Sequence, residues 1–183
     1  MQHKDHETFR LFFDNQNGFN LTSKGAAFKE LCEDQLLLQA DYRGIAEPCL
    51  DTDKYQVRQT LHDIAKQTFE SYALDMASSP VTAAHNYQPG GVMSIMQGHT
   101  IGRIKSRGND ELGRWTYVKL FGRSDKVITL ISAYQVCNNA RTGTTAYHQQ
   151  QSALIQRGDK APNPRRQFQQ DLRKFLRQCQ AKS

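Results

Sequence analysis

No run of apolar residues in this sequence approaches the roughly 18 needed to cross a bilayer as a helix, so no membrane association is expected. The first six residues, MQHKDH, are polar, and no secretory signal is visible. Cysteine motifs are lacking too. Cys32, Cys49, Cys137 and Cys179 stand far apart, with no C-x-x-C and no His/Cys set at zinc spacing. Four unbridged thiols fit a reducing compartment, so an intracellular protein is expected, in nucleus or cytoplasm. No glycine-rich loop of the P-loop or dinucleotide type occurs, which argues against a nicotinamide or flavin cofactor. No Ser/His/Asp arrangement, internal repeat, linker or low-complexity segment is evident.

What is present suits a folded domain. The chain has 183 residues, 38% hydrophobic and 23% charged, enough for a real core. The net charge of +6 is unevenly spread. Residues 141–183 hold 9 Lys/Arg against 2 Asp/Glu, while residues 1–140 hold 15 against 16. The basic end is either a phosphate-facing surface or the solvated face of a helix.

Periodicity sets the expected elements. Residues 8–14 (TFRLFFD) form a buried strand, and 15–20 (NQNGFN) a turn. Thr22 or Ser23 caps a helix to about Leu37, with Ala27, Phe28, Leu31 and Cys32 on one face. Residues 40–46 (ADYRGIA) form a second strand, and Pro48 keeps Glu47 extended. Asp51 or Thr52 caps a helix to about Tyr72. Strands are expected at 81–87 and 92–96, a loop at 100–113, and a hairpin of 114–121 with 126–136. Helices follow at 147–156 and from Asn163-Pro164 to about Cys179. Trp115 and Tyr117 alternate on a strand and are expected to pack in the core rather than stack on bases. The order implies a mixed α/β (α+β) fold with a mixed β-sheet, as one domain.

Two strand ends carry candidate chemistry. Asn15-Gln16-Asn17-Gly18 follows the first, and Glu47 follows the second. Ligands gather beyond the carboxyl ends of strands in open α/β sheets. If the two strands are parallel neighbours, Asn15 and Glu47 converge. A carboxylate beside amide oxygens suits magnesium, which needs only one or two carboxylates. The bland alternative is a common Asn-rich turn and an exposed Glu before Pro.

The string Phe12–Gly18 (FFDNQNG) resembles the N-x-N/D-G strand end of endonuclease/exonuclease/phosphatase (deoxyribonuclease-I-like) domains. Residues 40–47 (ADYRGIAE) resemble that family's "aDi-gl-E" strand, Gly90-Gly91-Val92 its G-G-V start, and Ile131-Ser132-Ala133-Tyr134 its "v-n-v-Y" strand. Arg165-x-x-Phe168 with Leu172 resembles its R-x-x-F-x-x-x-L helix. These five elements occur in the family's order, and they lean toward the endonucleases attached to reverse transcriptases of non-LTR retrotransposons. The resemblance implies a four-layer α/β/β/α sandwich and a magnesium-dependent phosphodiesterase acting on nucleic acid, DNA before RNA. It implies that Asn15 helps place metal and attacking water, that Glu47 ligates the metal, and that Asn17 supports them. It implies that the Tyr134 hydroxyl approaches the scissile phosphate and that Arg165 touches backbone phosphate.

The resemblance stops short. No Asp-x-Asn follows the last helix. After Asp125 the only acids are Asp159 and Asp171, and the only histidine is His148. The water-activating Asp and the terminal Asp-His pair of the family therefore have no counterpart. Residues 1–183 are expected to be the N-terminal portion of one such domain, an incomplete sandwich with one sheet's inner face uncovered, inactive alone. The competing reading is a non-catalytic nucleic-acid-binding module using Arg103, Lys105, Arg107 and the segment 165–174, or a mobile-element remnant without function.

Overall fold

The computed structural model describes residues 4–5, 8–19, 21, 25–80, 88–138 and 145–180. Among the described residues seven strands form two sheets. The first holds β1 (Leu11–Asn15), β2 (Tyr42–Ala46), β3 (Tyr72–Ala77) and β4 (Val92–Gln97) in the order β1-β2-β4-β3. β1 and β2 are parallel and the other pairs antiparallel, so the sheet is mixed. The second is an antiparallel β5 (Ile104–Asn109), β6 (Trp115–Phe121) and β7 (Val127–Ala133). Arg123 to Lys126 turns β6 into β7, with Ser124 and Asp125 at φ 55° and 60°. Two left-handed central residues are what a tight hairpin twist requires.

Alternation along β2 divides the layers. Ile45 points outward and joins Phe28 and Leu31 of α1 (Ala26–Leu37), and Leu61 and Ile64 of α2 (Tyr55–Thr68), in one core. Tyr42 points inward, with Met96, Val118 and Leu120 in a second core between the sheets. On the far side, α4 (Pro164–Gln180) lays Phe168 and Phe175 against Trp115, and Phe175 on Tyr117 at 4.8 Å. α3 (Ala146–Gln156) precedes it, capped by Thr145, whose hydroxyl accepts from the His148 N–H. The layers thus run helix, sheet, sheet, helix. Gly44 marks the closest approach of the two sheets: a Cβ there would fall 2.1 Å from the Ser132 Oγ.

Several expectations change. The second sheet exists, so the first sheet's inner face is covered over β2, β3 and β4. β1 is not buried. It is an edge strand whose Leu11 and Phe13 are 54% and 55% exposed, because the three-stranded sheet does not reach over it. α2 ends at Thr68, and Tyr72 begins β3, which restores a β-favouring run, YALDMA. Residues 98–103 form a 3₁₀ helix and 104–109 strand β5, where a loop was expected. β5 has a polar sequence because its outer positions are exposed and only its backbone pairs with β6. The expected strand at 81–87 and the caps Thr22 and Ser23 lie outside the described residues.

The inter-sheet layer also holds polar groups. The Tyr42 hydroxyl meets Ser132 Oγ at 2.8 Å, and Thr116 Oγ1 donates to Ser94 Oγ at 3.1 Å. Asp75, opposite Ser94 in the register, has an Oδ2 with no partner among the described residues, and only Arg107, at 3.7 Å, as ion-pair partner. Burial pushes its carboxyl from 3.8 up to about 6, and Arg107 offsets little of this. The fold therefore favours the neutral acid. Its contribution to stability is complete below the unfolded value and is lost as pH rises through about 6. Asp75→Asn should gain about 1–3 kcal/mol at pH 7 and little at pH 4. Urea melts of both proteins at the two pH values check this; a loss of stability at pH 7 would show that the Arg107 pair outweighs burial.

Candidate active-site cleft

The parallel pairing of β1 and β2 places Asn15 directly beside Ala46, so both strand ends open on the same edge. Their loops stay zipped beyond the sheet. Gln16 N–H donates to Ala46 O, Gly18 N–H to Glu47 O, and Phe19 N–H to Pro48 O. On the other flank Glu47 N–H donates to Gly91 O and Cys49 N–H to Gly90 O. Glu47 is pinned between two segments, 16–19 and 90–91.

That pinning overturns one expectation. Glu47 is not extended; its φ is 51°. Asn17 at 49° and Cys49 at 54° are also left-handed. Such values are uncommon outside glycine and cost about 1–2 kcal/mol each. The steric bias imposed by Pro48 is outweighed here by the hydrogen bonds on both sides of Glu47. Backbone strain concentrated at one strand edge, held by its surroundings, is the pattern of a functional site.

The side chains of the two strand ends meet. Asn15 Nδ2 donates to Glu47 Oε2 at 2.8 Å, and Asn15 Oδ1 accepts from the Asn17 N–H at 3.1 Å. The second Glu47 oxygen, Oε1, accepts from the Tyr134 hydroxyl. Tyr134 follows β7, and its N–H donates to Arg114 O, extending the β6–β7 ladder by one rung. The carboxylate is thus gripped by a donor from each sheet. Burial, and then the bond to Glu47, raise the Tyr134 phenol above its usual range, so it stays a proton donor.

Glu47 and Tyr134 line a pocket of about 250 Å³, whose wall Asn15 does not join. Asn17, Glu47, Cys49, Gly90 and Tyr134 form part of its wall, and Cys137 and Tyr147 close another side. The last two were not anticipated; Thr145, a capping residue ahead of α3, was the available sequence signal. Arg165 is not in the pocket wall. Its Nη2 donates to Gln135 Oε1, and its carbonyl accepts from Gln135 Nε2, both at 3.2 Å. It braces the residue after Tyr134 rather than facing the pocket.

A cation would find one hard donor here, the Glu47 carboxylate; Asn15 turns Nδ2 toward it, and the Asn15 oxygen accepts from the Asn17 N–H. Among the described residues no group of three or more His, Cys, Asp or Glu side chains converges. None of the four cysteines is bridged.

No family model matches the chain, and no curated protein matches it either. A solved structure does: the endonuclease/exonuclease/phosphatase family protein from Leptotrichia buccalis C-1013-b, at TM-score 0.52 and 13% identity. The superposition covers 85% of this chain and 65% of that one, so this chain spans about two thirds of its length. At that identity the likeness is one of fold: the two-sheet α+β architecture is of the deoxyribonuclease-I-like kind.

The phenol's state is open to measurement. Ultraviolet titration of tyrosinate from about pH 9 to 11, where an ordinary tyrosine ionises, should give superimposable curves for the protein and Tyr134→Phe. A missing tyrosine in the variant's curve would mean that Tyr134 ionises normally and is not held by Glu47.

Proposed function

We propose that the cleft is the metal-holding half of a phosphodiester-hydrolysing site of the endonuclease/exonuclease/phosphatase class, acting on nucleic acid, DNA before RNA. The observation that carries the reading is the contact of Asn15 and Tyr134 with the two oxygens of one carboxylate, Glu47. Three residues from separate segments, each anticipated from a different sequence string, meet at one point.

In this reading Glu47 would hold magnesium, joined by the second lone pair of the Asn15 oxygen, with the Asn17 N–H fixing the Asn15 amide. The ion would supply charge stabilisation at a phosphate oxygen. Tyr134, kept protonated, donates a hydrogen bond to a phosphoryl oxygen once substrate displaces its bond to Glu47. The left-handed turn at Glu47 keeps the carboxylate at the cleft, so little reorganisation is needed on binding.

The cleft lacks a water-activating partner among the described residues. Asp159 has its Oδ1 on the Ala161 N–H, and Asp171 is engaged by Arg114 and Gln167. His148 sits on α3 and does not line the pocket. General acid–base help is worth about 10²–10⁴-fold, and residues 1–183 alone should turn over little or no substrate. The leaning toward reverse-transcriptase-associated endonucleases rests on the five ordered strings between Phe12 and the last helix, and an intracellular setting on the unbridged thiols.

Binding separates the metal reading from the catalytic one. Magnesium at ten times its Kd should stabilise the protein by about 1.4 kcal/mol, raising Tm by about 3–6 °C for a domain of this size. Glu47→Gln should abolish the shift, and a plasmid-nicking assay should show no turnover by either protein. A Tm indifferent to magnesium would remove the metal site, and robust nicking by residues 1–183 would refute the missing-base argument.

A further inference from the structure

The outward face of α4 is a charged surface that the cleft does not use. Its 17 residues carry five basic side chains and one acid. The acid is turned inward: Asp171 Oδ2 accepts from Arg114 Nη2 at 2.8 Å, and Oδ1 from Gln167 at 2.9 Å. On its apolar side Phe168 and Phe175 pack against Trp115 and Tyr117, while Leu176 is 42% exposed. Exposed to solvent are Arg166, Arg173, Lys174 and Arg177, set among Gln169, Gln170 and Gln178. None of these four cations has an ion-pair partner among the described residues.

The other basic cluster is already engaged. Arg103 donates through Nε and Nη2 to Phe121 O, Lys105 lies 5.6 Å from the centre of the Phe121 ring, and Arg107 faces Asp75. The helix is thus the better-placed source of uncompensated positive charge. Arg166, Arg173 and Arg177 fall within one narrow stripe, since 7 and 11 residues are close to whole numbers of helical turns. At 1.5 Å per residue the stripe is about 16 Å long, equal to the axial rise of about five nucleotides of a duplex at about 3.4 Å each.

We propose that this face docks the phosphate backbone of a nucleic acid, at a surface distinct from the cleft. Charge complementarity gives the sign of the partner, and the residues between the cations select its kind. Glutamine amides can hydrogen-bond phosphate and sugar oxygens. A helix lying on an anionic membrane would need a free apolar face, and here its aromatic residues Phe168 and Phe175 are taken up by β6, leaving Leu176 exposed but no continuous apolar face. The surface also leads to the cleft. α4 starts at the Arg165–Gln135 hydrogen bonds, one residue from Tyr134, so a strand lying on the stripe points toward the pocket. The proposal does not require the cleft to be catalytic.

The test is fluorescence anisotropy of residues 1–183 with a labelled DNA duplex across a potassium chloride series. Excess chelator removes any contribution from metal in the cleft. The variant Arg173→Gln/Lys174→Gln/Arg177→Gln changes only exposed side chains, and circular dichroism melts verify its fold. The proposal expects the variant to bind at least about tenfold more weakly at low salt and its log–log salt slope to fall by about 2.7, some 0.9 per cation removed. The control Arg103→Gln/Lys105→Gln should bind like the wild type. Unchanged affinity in the helix variant, or a larger loss in the control, would overturn it. So would tighter binding to phosphatidylserine vesicles than to the duplex, lost in the same variant, because the occupant would then be a membrane surface.

Discussion

The carboxylate of Glu47 bridges the two sheets at the edge that carries the cleft, in addition to the Tyr42–Ser132 and Thr116–Ser94 bonds between them. One oxygen is held from β1 by Asn15 and the other from the end of β7 by Tyr134. A carboxylate with one donor can swing; one with a donor on each oxygen, from elements on opposite sides, has its plane set. Charge-assisted bonds of this kind are about twice as strong as neutral ones. The arrangement depends on the sheets stacking in one register, and Gly44 over Ser132 permits that approach. A larger residue at Gly44 would push the sheets apart and draw Tyr134 away from Glu47.

Backbone geometry serves the same end. The left-handed turns at Asn17, Glu47 and Cys49 are unfavourable for these residues taken singly. They persist because the segments 16–19, 47–49 and 90–91 hold one another by main-chain bonds. Gly90 and Gly91, themselves at φ 73° and 83°, complete the outer strand of that lattice. The cleft is therefore stiff, as a site that gathers water and phosphate around few protein ligands needs to be.

Much of this was legible from short strings and strand ends. Asn15, Glu47 and Tyr134 each follow a strand with a polar group; the parallel pair β1 and β2 delivers the first two to one edge, and the stacking of the second sheet brings Tyr134 to them from β7. Helices α1 and α4 were legible from apolar spacing, and the hairpin at 122–125 from its turn residues. What could not be read depends on contacts between distant segments. The apolar string LFF predicts burial, yet β1 is exposed because burial is decided by what lies across from it. β5, IKSRGN, has no apolar alternation and becomes a strand through pairing with β6. The conformation of Glu47 follows from bonds to residues 18 and 91, which no local preference encodes. Arg165 matched a motif position, but its side chain was drawn to Gln135.

The position of α4 follows from a similar long-range bond. Arg114 is 3% exposed and binds Asp110 through two nitrogens and Asp171 through one of them. Desolvating such a cluster offsets much of its Coulomb attraction, so its net contribution to stability is small. Its effect on orientation is larger. A helix held by Phe168 and Phe175 alone can roll on an aromatic surface, because apolar contacts are non-directional. The Arg114–Asp171 bond selects one roll angle, at which the single acid of the helix faces inward. The same bond therefore seats the helix and leaves its outer face without negative charge. The uneven charge of the sequence, diffuse along residues 141–183, becomes in the fold a surface of one sign beside the strand end that carries Tyr134.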